Sequence, residues 1–158
     1  MDPRPLTVLF VCTHNSCRSI LAEALLNHQG RGRFRGLSAG RAPADRVQPE
    51  ALELLGEEGI DTRALTPKSW RDVADREAPD LVFTVCEEAE EDMATADWAA
   101  ADWRCGRVTA NWRLDDPTAP SSAEERRRAL RAAYADLKTR IGILTSLSPD
   151  QLDRLRRL

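Results

Sequence analysis

Apolar residues run almost without alternation from Leu6 to Val11, and again from Leu81 to Val85 after Asp80. Each run has the pattern of a strand buried on both faces. Polar residues follow the first run at once. Ile20, Leu21, Ala22, Ala24, Leu25 and Leu26 then populate a helix-forming stretch with no breaker before Gly30. A short strand is expected over residues 34–39, ended by Gly40. Residues 49–58 predict a helix, with Pro49 in its first turn and Gly59 as its stop. Residues 69–77 predict a shorter helix capped by Ser69. The acidic stretch 87–92 carries no clear period, and residues 107–110 read as a last short strand. Pro117 and Pro120 mark a loop. From Ser122 onward, Leu130, Ala133, Tyr134, Leu137, Ile141 and Leu144 recur at helical steps. Ser121 and Ser122 each precede a glutamate three positions on, so both are candidates for a capping box. Ser148 opens a final helix carrying Leu152, Leu155 and Leu158. The alternation of strands and helices predicts an α/β fold, a parallel sheet with helices on both faces.

At 158 residues the chain is expected to be a single domain, 1–158, and a monomer. A net charge of −3 argues against a nucleic-acid partner. The apolar run at Leu6 is far too short for a membrane span, and no small-residue cleavage site follows it. A cytoplasmic location without membrane association is the expectation. The cysteines are Cys12, Cys17, Cys86 and Cys105, with no close pair of the zinc-binding kind. A disulfide framework is also unexpected in such a chain. The four are therefore buried small hydrophobes or reactive thiols.

The segment Cys12-Thr13-His14-Asn15-Ser16-Cys17-Arg18-Ser19 joins the first strand to the first helix. Cys12 and Arg18 stand in a C-x5-R spacing, weak alone but informative at a strand end that enters a helix N-terminus. Parallel sheets bind ligands there, and free backbone N–H groups favour an anion. In such a loop the helix N-terminus and Arg18 are expected to lower the Cys12 thiol and make it a thiolate. Arg18 offers a planar fork to two oxygens of a tetrahedral oxyanion. Asn15 tolerates a left-handed backbone, and Ser19 can donate a hydrogen bond to the thiolate. Cys17 is expected in the core, and His14 and His28 in solvent. The four tryptophans, Trp70, Trp98, Trp103 and Trp112, read as packing residues, and residues 124–128 as a solvated helix face.

Residues 8–26 strongly resemble the low-molecular-weight protein tyrosine phosphatase group, which holds small phosphatases and the arsenate reductases related to them. Gly59-Ile60-Asp61-Thr62, Pro67-Lys68-Ser69-Trp70, Phe83-Thr84-Val85-Cys86 and Thr109-Ala110-Asn111-Trp112 before Asp115-Asp116-Pro117 resemble the reductase branch. The phosphatase branch has tyrosines where this chain has Thr118-Ala119-Pro120. The resemblance implies a three-layer fold around a four-stranded parallel sheet. It implies that Cys12 attacks arsenate and that Asp116, with Asp115 as its near alternative, is the general acid. Cys86 would then attack the sulfur–arsenic adduct, release arsenite and leave a Cys12–Cys86 disulfide, a step in arsenic resistance. No bound cofactor is implied. An external thiol (thioredoxin, glutaredoxin or a low-molecular-weight thiol) would recycle the enzyme. A third cysteine of thioredoxin-coupled relatives aligns with Ala100 here, which leaves Cys105 as the candidate resolving cysteine. Asn111 replaces a histidine of one subgroup. Some members bind potassium near an Asn, a Glu and a Ser. Asn15, Glu23 and Ser38 match these, but Lys68 stands where an acidic partner belongs, so no metal is expected. The alternatives are a phosphatase acting on phosphotyrosine or small phosphoesters, for which Cys86 has no use, and an oxyanion-binding or redox-sensing module, for which Asp116 has none.

Overall fold

A computed structural model describes residues 4–87, 89 and 110–157 of the chain. The elements in order are β1 (Leu6–Val11), α1 (Arg18–Gln29), β2 (Phe34–Ala39), α2 (Pro49–Glu57), α3 (Trp70–Arg76), β3 (Leu81–Thr84), β4 (Ala110–Asn111), α4 (Ala123–Thr145) and α5 (Pro149–Arg156). They match the hydrophobic pattern to within a residue or two at most ends. Of the predicted last strand, residues 107–109 lie outside the described residues, as do Trp98, Ala100, Trp103 and Cys105.

The sheet has the order β2-β1-β3-β4, and every pairing is parallel. β1 is therefore flanked on both sides, which is why its residues Val8, Leu9 and Phe10 are wholly buried. The chain leaves β1 towards β2 in one direction and crosses back past it to reach β3. Right-handed crossovers in opposite directions put α1 on one face of the sheet and α3, which leads into β3, on the other. α4 packs along α1, and its Leu137 and Ile141 are fully buried. Ser122, not Ser121, caps α4, its hydroxyl accepting from Glu125 N–H at 3.1 Å. Ser148 and Gln151 close a reciprocal capping box at α5. No described helix is long and apolar enough to cross a membrane.

The point where the strand order reverses is the C-terminal end of β1. Val11 pairs with Thr84 there, so the chain segments leaving β1 and β3 begin side by side. Cys12 leaves one strand and Cys86 follows the other.

Candidate active site

Residues 12–17 form a tight loop between β1 and α1. Its outer wall is fixed by backbone bonds from the segment after β2: Ala42 N–H donates to Thr13 O at 3.0 Å, Ala44 N–H to His14 O at 2.9 Å, and Gln48 N–H to Ser16 O at 2.8 Å. In a trans peptide the next residue's N–H points opposite to the carbonyl. The N–H groups of His14, Asn15 and Cys17 therefore turn away from this strap, towards the inside of the loop. Asn15 has φ +49°, the left-handed backbone expected of it. Its buried side chain donates to Ser19 Oγ at 2.8 Å and accepts from Lys68 N–H at 2.7 Å. Accepting that bond leaves the Ser19 hydroxyl proton for another acceptor. Gly40 presses on the loop from the end of β2: a Cβ there would lie 2.5 Å from Thr13 O and 2.7 Å from Cys12 O.

Arg18, the first residue of α1, donates through Nη1 to Leu114 O at 2.9 Å. The segment that offers this carbonyl is carried by β3. Trp112 N–H donates to Thr84 O at 2.7 Å and Leu114 N–H to Val85 O at 3.2 Å. The Thr84 hydroxyl donates to Asn111 Oδ1 at 2.6 Å, and the Trp112 ring lies 4.5 Å from that of Phe83. This holds the aspartate segment over the loop. Asp116 Oδ1 accepts from Thr118 N–H at 2.9 Å and from the Thr118 hydroxyl at 2.6 Å. Partial burial raises the Asp116 carboxyl, but the Thr118 bonds, Arg18 and His14 outweigh it and hold it below its ordinary value. Asp115 is exposed.

Cys12 and Cys86 are both buried, free thiols, 4% and 2% exposed. Cys86 Sγ lies 3.9 Å from Thr13 Oγ1 and accepts from Ala89 N–H at 3.3 Å. Each of the two thiols acts on the other's ionisation. Here the expectation for Cys12 is reversed. The bond to Cys86, burial and the charge of Cys86 raise the Cys12 thiol well above its ordinary value, against Arg18 and the His14 N–H. The same bond from Cys12, with the N–H groups of Ala89 and Thr13 and the charge of Arg18, lowers Cys86 to about 5 against its burial. The pair as a whole therefore holds one negative charge at neutral pH, with Cys86 as the more readily ionised member. Sequence reasoning placed both sulfurs at one sheet edge but did not foresee that each would shift the other's ionisation. Cys17 is buried as expected, and burial pushes its thiol up to about 12.

Three further residues escaped the sequence reading. Gly40 was legible only as a strand end, Leu114 acts through its carbonyl, and Thr118 belongs to an Asp-Pro-Thr turn whose composition alone does not point to a site. The potassium ion that the resemblance raises does not suit these residues. The Lys68 ammonium already sits 3.4 Å from Glu23 Oε1 and 2.6 Å from Thr66 O. A second cation there would meet like charge.

Residues 7–156 match the family model described as low molecular weight phosphotyrosine protein phosphatase. The chain is 36% identical over 112 residues to arsenate reductase 1 of Bacillus cereus (strain ATCC 10987), covering 70% of this chain and 76% of that protein. It is 29% identical over 114 residues to the glutaredoxin arsenate reductase of Synechocystis, covering 72% and 80%. A solved structure of an arsenate reductase in the phosphate binding state superposes with a TM-score of 0.66 at 28% identity, over 89% of this chain and 96% of that one.

Proposed function

Since the chain belongs to the low molecular weight phosphotyrosine protein phosphatase family, we propose that within it this protein is an arsenate reductase working through Cys12 and Cys86. The oxyanion sits in the loop, on the inward N–H groups and on the N–H groups of Arg18 not engaged with Leu114. Cys12 sulfur bonds to arsenic. Its proton passes to Cys86, and one oxygen leaves as water, protonated by Asp116. Asp116 is ionised in the free protein. The negative charge of the bound oxyanion disfavours a second charge beside it and raises the carboxyl towards the protonated form the step needs. Cys86 then gives up its proton to an oxygen of the departing arsenite and attacks the Cys12 sulfur. The sulfur–sulfur bond forms, the sulfur–arsenic bond breaks, and its electron pair stays on arsenic as arsenite. Two thiols are oxidised to one disulfide while arsenic goes from the pentavalent to the trivalent state.

Cys86, a second buried thiol at the same sheet edge as Cys12, is the observation that carries this reading. Phosphoester hydrolysis has no use for it. The Bacillus relative's name supports arsenate as substrate, and that of the Synechocystis relative supports an external thiol as reductant. Cys105, outside the described residues, is the candidate to pass the disulfide on. The test is arsenate turnover with thioredoxin, glutaredoxin or a small thiol supplied separately, beside hydrolysis of an aryl phosphate. Cys12→Ser abolishes both activities, because a serine hydroxyl stays un-ionised and is a far poorer nucleophile. Cys86→Ser stops arsenite release and spares slow phosphate hydrolysis. Normal arsenate turnover in Cys86→Ser removes that residue from the mechanism. Mass mapping after one turnover reads a Cys86–Cys105 bridge if Cys105 resolves the first disulfide. A Cys12–Cys86 bridge alone assigns recycling to the external thiol.

A further inference from the structure

Lys68 contributes three groups to the support of the loop. Its ammonium donates to Thr66 O at 2.6 Å and lies 3.4 Å from Glu23 Oε1. Its backbone N–H donates to Asn15 Oδ1 at 2.7 Å. Its carbonyl accepts from the N–H of Gly40, the residue pressed against the loop, at 2.8 Å. The Glu23 side chain is only 10% exposed, and the same Oε1 also accepts from the Ser38 hydroxyl at 2.6 Å. Since Asn15 bonds on to Ser19, the contacts close a ring: Glu23 on α1, Lys68, Asn15 in the loop, and Ser19 back on α1.

A carboxylate this buried is strongly destabilising if its cationic partner is removed. The Ser38 hydroxyl on the carboxylate and the Thr66 carbonyl on the ammonium are oxygens of the kind that gather a small cation. The sequence adds a second indication. Of 23 basic residues only Lys68 and Lys138 are lysines. A chain that uses arginine almost everywhere has a compact ammonium here, where a planar guanidinium carries a different shape and set of donors.

We propose that Lys68 is a tethered cation that neutralises Glu23 and holds Asn15, and through it the oxyanion loop, in its anion-receiving shape without any free metal ion. Lys68 is a positioning residue: it acts through Asn15 and Gly40. The proposal rests on the reading of the loop as an oxyanion site. It implies that removing the ammonium uncovers a site for a small monovalent cation, formed by Glu23, Ser38 and Thr66.

The experiment is calorimetric titration of the full chain with inorganic phosphate, in a buffer whose only added cation is tetramethylammonium, too large to enter. Potassium or methylammonium is added in parallel titrations. Wild type binds phosphate equally well in all three. Lys68→Ala loses about tenfold or more in affinity in tetramethylammonium, as expected when a binding loop is left misplaced. Potassium or methylammonium restores most of it. Lys68→Met, which keeps the packing of the stem but not the charge, shows the same loss. As a readout independent of the anion, potassium raises the melting temperature of Lys68→Ala but not that of wild type or of the Glu23→Gln, Lys68→Ala double variant. Full affinity in Lys68→Ala without a cation, a loss that no cation repairs, or a wild type that itself needs potassium each overturns the proposal. A wild type that binds no phosphate in any buffer instead overturns the oxyanion loop itself, and the proposal with it.

Discussion

Cys86 is the more readily ionised thiol, where sequence reasoning gave the charge to Cys12, and the reason is local. Cys86 accepts from the N–H groups of Ala89 and Thr13 as well as from Cys12, and these donors favour its charged form. The sign of the resulting pH dependence follows. Cys86 falls from an ordinary 9.0 to about 5, so the stability it contributes is complete above the unfolded thiol's value and is lost as pH falls through about 5. Folding stability therefore rises with pH across that window. In Cys86→Ser the slope flattens. Cys12 also drops relative to wild type, because the hydrogen bond and the charge that raised it are gone. Ultraviolet thiolate absorbance reads both effects: a first ionisation near 5 in wild type, absent in Cys86→Ser, where the first step comes at higher pH. An unchanged first step in the variant assigns the low value to another group. Residue identities were legible here because Cys, Asn, Arg and Ser have few reasons to share a strand-to-helix turn. Their ionisation was not legible, because it depends on how close two sulfurs distant in sequence come to lie.

At the scale of elements, the hydrophobic periods gave β1, α1, β2 and α4 nearly to the residue, because each is long, apolar on the right positions and bounded by a cap or a breaker. What they did not reveal is how tightly one element end presses on another. Gly40 shows the difference. Its missing Cβ lets the end of β2 lie against the backbone of Cys12, Thr13 and Asn15. In Gly40→Ala the added carbon meets backbone atoms rather than a flexible side-chain tip, so the loop must shift. Phosphate affinity is expected to fall by about tenfold or more, as for other displacements near an ångström. Calorimetry checks it, with far-ultraviolet circular dichroism to show that helix content is kept. Unaltered affinity means that the loop yields freely and that Gly40 does not shape it.

For the molecule as a whole, the parallel order β2-β1-β3-β4 puts the reactive groups together. It reverses direction at β1, so whatever follows β1 and β3 meets at one edge. That much followed from reading two buried strands in a parallel sheet. The far side of the molecule has a different task. Leu137 is fully buried on α4, the helix that packs along α1. Leu137→Ala is expected to lower unfolding free energy by about 2–5 kcal/mol. Urea denaturation measures this, and phosphate affinity under native conditions stays close to wild type. A large loss of affinity at full stability shows instead that α4 tunes the loop through α1.

The strap over residues 42–48 gives the loop an outward signal. An anion that pulls on the N–H groups of His14, Asn15 and Cys17 polarises the same peptide units whose carbonyls face Ala42, Ala44 and Gln48. Hydrogen bonds in series strengthen one another. Filling the loop should therefore move the amide proton resonances of Ala42, Ala44 and Gln48 downfield and slow their exchange with deuterated solvent, although none of the three N–H groups faces the anion. The back of the wall becomes a spectroscopic record of whether the front is occupied.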